Sequence, residues 1–376
     1  MAAPSVDQWV QAVHKRWPPA TAAPWDNVGL QVGDPAAAAA TVLVALDVTD
    51  AVLDEARALG AGLLVAHHPL LFRPLASLRA DQPVGRLALR AAAEGTAVVA
   101  VHTNLDAAAD GSPSDAVAEL LGLAERRPLQ PVPSPEQLYK YVVFTPTEAI
   151  PQVLEAAARA GAGVIGAYSW CSFRSPGTGT FYPEEGASPT VGDVARLNQV
   201  PEERLEVLVP ADRLAAVRAA VVAAHPYEEV AADTYPLLAD GDLGIGRVGR
   251  LAAPTTVGAL AARLGEALPA PTLRVAGDLD RDVRRVAVLA GSGGDQVAAA
   301  LDAGAELYVT GDLKHHQALA ALAGGMACID ATHAATEAAA LPGLVERLRA
   351  DAAERGWDAQ VHLSAVPTAP FTTLGG

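Results

Sequence analysis

The chain has 376 residues, about half of them hydrophobic, with a formal net charge of −16 and two cysteines. That length suits two domains, or one domain carrying a large insertion. The charge excludes a protein that coats nucleic acid, no apolar run reaches the ~18 residues of a membrane span, and Cys171 and Cys328 cannot build a disulfide framework. The N-terminus lacks a basic segment followed by an apolar run, so the expectation is no signal peptide and a cytoplasmic setting.

The first third of the chain alternates β-rich runs with helical stretches. Trp25–Leu30 reads as a compact polar turn from which Asn27 can reach a neighbouring edge. Thr41–Leu46 reads as a buried strand and Ala51–Leu59 as a helix closed by Gly60. Leu63–Ala66 and Ala97–Val101 read as two more strands. The middle differs. Prolines crowd Arg127–Glu136, the signature of a stiff linker. Tyr139–Thr145 (strand) and Glu148–Ala160 (helix) come next, then an aromatic and glycine-rich segment, Tyr168–Pro189. Leu205–Val209 (strand), Asp212–Ala224 (helix) and Val230–Pro236 complete an order that suggests a ferredoxin-like unit. The glycine-rich stretch Gly241–Gly249 returns the chain to strands at Val286–Ala290, Glu306–Thr310 and Met326–Ile329, with helices between them. The fold class expected is therefore α/β. A discontinuous domain with a largely parallel sheet, residues 1–127 and 247–376, carries an inserted α+β domain, residues 128–246.

Most of the unusual side chains fall just past the carboxyl ends of expected parallel strands, the edge where open α/β sheets bind ligands. Asp47 ends the first strand. His67 and His68 follow the second. His102 follows the third, with Asp106 four residues on. Asp330 ends the last, followed by His333 and Glu337. Imidazole and carboxylate donors suit Zn, Fe, Mn, Co or Ni. Adjacent histidines on extended backbone diverge, so His67 and His68 suit two different ions. His333 and Glu337, at i and i+4, share a helix face, and a carboxylate can bridge two ions. The expected ligands are His67, His68, Asp106, His333 and Glu337, with His102 next. Each alone also fits a hydrogen-bonded structural histidine, a turn-capping Asp106 or an exposed helical pair; together at one edge they point to two divalent metal ions and a shared water.

Three further residues are candidates for catalysis: His102, Asp312 and His316. The last two lie in Gly311–His316, after a strand, where a carboxylate can orient a ligand and a histidine can transfer a proton. His316 equally fits a residue of a helix cap region. Gly291–Gly294 reads as a tight strand-to-helix turn, with a phosphate cradle as the alternative. No serine or cysteine shows a base beside it.

Trp25–Gly33, Ala66–Phe72, His102–Asp106, Thr310–His316 and Asp330–Glu337, in this order, resemble the Nif-three-like family, whose members carry the label GTP cyclohydrolase I type 2 homologue or dinuclear metal centre protein. The resemblance covers nearly the whole chain. It implies an α/β fold with two metals and the same five ligands. Many members have glycine where this chain has Thr332, a change expected to alter packing more than ligation. Gly166–Phe173, Gly177–Phe181 and His225–Val230 resemble the PII- and CutA-like insert of the longer members. His225, Glu228 and Glu229 look like a metal site by residue type, but the resemblance does not place them among the ligands. It further implies a toroidal homohexamer. The function expected is a metal-dependent hydrolase of a small molecule, with attack at C8 of guanine if the label holds or hydrolysis of a phosphoester. The alternative is a non-catalytic metal-binding, metal-delivery or regulatory protein.

Overall fold

The computed structural model describes residues 3–132, 137–237, 242–269 and 273–371. The chain divides into two compact units, Met1–Pro133 with Gly241–Gly376, and Ser134–Asp240. In chain order the strands are β1 (Gly29–Val32), β2 (Thr41–Ala45), β3 (Leu63–Ala66), β4 (Ala97–Ala100) and β5 (Ala124–Pro131); β6 (Leu138–Thr145), β7 (Ser172–Phe181), β8 (Asn198–Pro210) and β9 (Ala232–Pro236); then β10 (Gly244–Thr256), β11 (Arg274–Ala276), β12 (Asp282–Ser292), β13 (Leu307–Gly311), β14 (Ala327–Asp330) and β15 (Gln360–Leu363).

The first unit holds two sheets rather than one largely parallel sheet. One runs β1-β4-β3-β2-β15, the other β11-β14-β13-β12-β10-β5. In the first, β15, β2, β3 and β4 are parallel and β1 is an antiparallel edge. In the second, β12, β13 and β14 are parallel, while β5, β10 and β11 pair antiparallel. Strands buried on both faces read as continuous apolar runs. In β2, Val42 and Val44 pack with Trp9 and Leu348, while Leu43 and Ala45 pack with Leu53 and Ala56. The helix after β2 spans Asp50–Leu59. It starts on the Thr49 side chain and stops at Gly60, whose φ of 65° is left-handed.

The proline-rich stretch is only partly a linker. Pro128 and Pro131 lie in β5, paired with Arg247 and Gly244 of β10. β5 is an edge strand, where a missing N–H costs no ladder bond. Pro133, Pro135 and Gly241 lie outside the described residues. β5 and β10 thus put residues 128–131 and 244–246, expected in the insert, into the outer sheet. The buried Arg247 guanidinium anchors this return. Its Nε and Nη2 donate to Asp115 at 2.7 and 2.8 Å, and its Nη1 donates to the carbonyls of Gly244 and Gly246.

The second unit has β-α-β-β-α-β order, its sheet running β7-β8-β6-β9 with every pair antiparallel. Helices Ile150–Arg159 and Leu214–Ala224 cover one face through Val153, Ala157, Val217 and Val221. β7 is the strand hidden in the glycine-rich segment. Its residues are mostly exposed, so no alternation of apolar and polar residues marks it. No helix among the described residues is long and apolar enough to cross a membrane.

Candidate metal centre

The parallel strands of both sheets in the first unit deliver polar side chains from their carboxyl ends. His67 N–H donates to Ala45 O and His68 N–H to Leu46 O, carrying the β2–β3 ladder two residues past the strand. Successive residues on extended backbone point to opposite sides, and the two imidazoles meet at 5.1 Å between centroids. His102 follows β4, and Asp106 closes the single turn Thr103–Asp106. From the second sheet, helix His333–Ala338 follows β14 and places His333 and Glu337 one turn apart.

Each histidine is tied back through Nδ1. His67 meets the carbonyl oxygen of Val101 at 2.9 Å, His68 the carboxylate of Asp47 at 2.7 Å, His102 that of Asp26 at 2.9 Å and His333 that of Asp312 at 2.9 Å. An oxygen acceptor at Nδ1 places the ring proton there and leaves Nε2 as the lone-pair donor. The freed nitrogens gather round Glu337. His68 Nε2 is 2.9 Å and His333 Nε2 3.1 Å from Glu337 Oε2, and His67 Nε2 is 3.6 Å from Oε1. His67 Nε2 also lies 3.8 Å from Asp106 Oδ1.

These residues fit a metal. His67 Nε2 and Glu337 Oε2 are buried with no hydrogen-bond partner, although imidazole nitrogens lie close to Glu337 Oε2. Buried polar atoms are almost always satisfied, so donors crowded together without bonding one another suit a shared cation. His67, His68 and His102 offer ligand atoms within 4.8 Å of one another, and so do His68, His333 and Glu337. The structure thus brings His102 in with the candidate ligands.

Without a cation the cluster stores protons. Burial lowers the affinity of His68 for a proton, but the hydrogen bond to Asp47 and the negative charge of Glu337 beside it outweigh that and raise the pKa to about 10. The Glu337 carboxylate, 3.1 Å from His333 Nε2, raises the His333 pKa to about 9. Glu337 is held well below the carboxylate range, its burial outweighed by the surrounding histidines. A ligand must be a neutral imidazole. Metal uptake at pH 7 should therefore release protons and tighten as pH rises toward about 9. Titration calorimetry in two buffers of different ionisation enthalpy checks this; equal heats in both would contradict it.

The sequence places Asp47 at the edge without a partner and assigns Asp26 no role, because each lies far in sequence from the histidine it holds. Asp26 has a fully buried side chain. Burial opposes its ionisation, yet bonds from His102 and Thr103 bring its pKa down to about 2. Asp47→Asn should weaken metal binding about 10–100-fold, since an amide can present an N–H where His68 needs an acceptor. A competition titration against a chelator measures this.

Asp312 (φ 55°) and Thr332 (φ 65°) both adopt left-handed backbone beside His333. Thr332 therefore acts through the backbone: a conformation suited to glycine sets the start of the His333 helix, and its carbonyl accepts Thr336 Oγ1 at 2.9 Å. Asp330 is engaged elsewhere. It accepts from Arg274, from Leu313 N–H at 3.1 Å and from Thr332 N–H at 3.1 Å, organising two turns. His316 is exposed in the first turn of helix His315–Ala323, its ring against His315, and no hydrogen bond or ion pair joins it to the cluster among the described residues. Gly291 and Gly293 spend their N–H groups on Thr336 and Thr310 at 2.9 Å each, which fits a tight turn better than a phosphate cradle. In the second unit, both His225 nitrogens are engaged, by Phe144 O and Tyr227 N–H at 3.1 Å each, which leaves no lone pair for a metal there. Neither cysteine is in a disulfide, and Cys328 is buried in β14.

Comparison with known proteins agrees with this architecture. The family model described as Duf34/NIF3 (NGG1p interacting factor 3) matches residues 4–370. A Halalkalibacterium halodurans protein named GTP cyclohydrolase 1 type 2 homolog is 42% identical over 369 residues, 98% of each chain. The Bacillus subtilis protein of the same name is 39% identical over 368 residues, again 98% of each. Among solved structures, a Bacillus cereus protein related to NIF3 aligns over 100% of both chains with TM-score 0.71 and 38% identity. The chain belongs to the Duf34/NIF3 family.

Proposed function

We propose that the centre holds two divalent cations and that the protein is a metal-dependent hydrolase of a small, phosphorylated molecule. The observation that carries this reading is the ring of imidazoles tied back at Nδ1, with buried, unpartnered donor atoms at its middle. Two donor groups share His68, which supports a pair of ions; the proposed ligands are His67, His68, His333 and Glu337 with Asp106, whose carboxylate lies 3.8 Å from His67 Nε2. Zn, Fe, Mn, Co and Ni all suit such donors. Bound there, the cations would acidify water and offset charge developing on an attacked carbon or phosphorus.

The chain's own residues supply the rest. Val101 O, Asp47 and Asp312 fix the tautomers of His67, His68 and His333. Glu337 faces both donor groups. Asp26 holds His102 Nδ1–H, so that Nε2 can take a proton from water or return one to a leaving group. Asp312 positions His333. The relatives' name extends the reading to attack at C8 of guanine; a phosphomonoester or phosphodiester suits the same site. The strand order of the second unit supports a ferredoxin-like insert of the PII/CutA kind, and a homohexamer is the proposed assembly, checked by light scattering.

The test is metal content of untagged protein by mass spectrometry, then hydrolysis assays with GTP and a panel of phosphoesters. About two ions per chain with turnover supports the hydrolase. Two ions without turnover on any substrate favours binding or delivery. No stoichiometric metal overturns the centre. In the same assay His102→Gln should reduce turnover far more than His316→Ala, because only His102 lies within the cluster; the reverse order would return proton transfer to His316.

A further inference from the structure

Beside the cluster, two large aromatic side chains stand in solvent. Trp25 is 62% exposed and Phe72 44%. Their rings meet edge to face at 5.8 Å, and each meets the His102 ring in the same way, at 6.1 and 6.4 Å. Three rings, inclined to one another by 62° to 73°, thus form a corner. His102 is its inner wall, and that ring lies 5.3 Å from His67 and 5.6 Å from His68. The corner is one side chain away from the candidate ligands.

The corner is also braced. Asn27 Nδ2 donates to Leu71 O at 2.5 Å, Leu71 N–H donates to Gln31 Oε1 at 2.9 Å, and Gln31 Nε2 donates to Asn27 O at 2.7 Å. This triangle locks the turn bearing Trp25 to the turn bearing Phe72. Asp26, between Trp25 and Asn27, fixes the third ring. Exposed aromatic surface is unfavourable in water, and here a polar network holds it in place rather than letting it fold away. Preorganised, exposed aromatic faces are what a planar ring stacks on.

We propose that Trp25 and Phe72 form a stacking platform for a planar heteroaromatic ring of the substrate, laid so that the ring's edge reaches the cluster past His102. The inference rests on the dinuclear reading of the same centre. An aromatic corner can also receive an organic cation, but two divalent ions beside it would repel one, whereas a neutral ring carrying a phosphate tail would be attracted. The platform makes Trp25 and Phe72 specificity residues: they distinguish a nucleotide from a sugar phosphate.

The test uses full-length, metal-loaded protein with two probes, guanosine 5′-monophosphate and ribose 5-phosphate. Binding is followed by calorimetry and by tryptophan fluorescence, with Trp25→Phe as the spectroscopic control. Trp25→Ala and Phe72→Ala remove surface groups that belong to none of the buried core clusters, so both variants should fold and keep wild-type metal content. Each should weaken binding of the nucleotide about 10-fold and leave ribose 5-phosphate within 2-fold; quenching by the nucleotide should vanish in Trp25→Phe. Nucleotide binding unmoved in both alanine variants, or no nucleotide binding to metal-loaded wild type, overturns the platform while leaving the centre intact. Loss of metal in Trp25→Ala would make Trp25 a structural support instead. Wild type that takes up no metal overturns the centre and the platform with it.

Discussion

Glu337→Gln is expected to empty the metal centre. The carboxylate is buried and lies within 3.6 Å of imidazole nitrogens from His67, His68 and His333, residues delivered by both sheets of the first unit. No other carboxylate in the cluster approaches three of these rings among the described residues. The amide keeps the shape but loses the charge, and it offers one acceptor oxygen where the native group offers two. Residues that merely orient a ligand cost about 10–100-fold in affinity when changed; loss of the carboxylate that approaches three of the imidazoles should exceed that. Metal content after dialysis, by mass spectrometry, is the direct readout. A second readout is thermal. A cation at 100 times its dissociation constant stabilises the native state by about 2.7 kcal/mol. Added metal should therefore raise the melting temperature of the wild type and leave that of the variant unmoved. A variant that retains two ions would remove Glu337 from the ligand set.

Gly291→Ala should reach the same end from outside the ligand set. Gly291 has φ +77°, and a Cβ built there would collide with the Glu337 carboxylate. The backbone alone costs an alanine about 1–2 kcal/mol in this conformation. The collision adds displacement of a ligand, so the variant should lose both stability and metal. Gly60→Ala separates the two effects. Gly60 has φ +65° with nothing within 4 Å of its hypothetical Cβ. It should lose comparable backbone stability and keep its metal. Equal metal content in the two variants would mean that the helix carrying Glu337 shifts freely, contrary to its packing against β12.

The strands that carry the centre were legible because burial on both faces leaves a run of apolar residues with no polar interruption, as in Thr41–Ala45 and Leu63–Ala66. Polar residues at the ends of such runs then stand out, which is why His67, His68, His102, His333 and Glu337 could be named from position and chemistry. Short edge strands such as β1, β11 and β15 gave no such signal. β7 was obscured because a mostly exposed strand containing Pro176, Gly177 and Gly179 lacks the alternation of a half-buried one. The prolines of β5 imitated a linker for a related reason: an edge position tolerates a residue that cannot donate to a ladder.

The sequence by itself determined the residue types of the centre, the strand ends that bear them and the presence of an inserted unit, because these depend on local periodicity and on donor chemistry. Only the tertiary structure decided that two sheets share the site, that Asp26 and Asp47 hold His102 and His68, and that Gly291 makes room for Glu337. It also showed that His316 stands apart from the cluster. Those are contacts between residues 21 to 76 positions apart, or between separate sheets. Their energies depend on where the backbone carries each side chain, and a pattern read along the chain does not contain that distance.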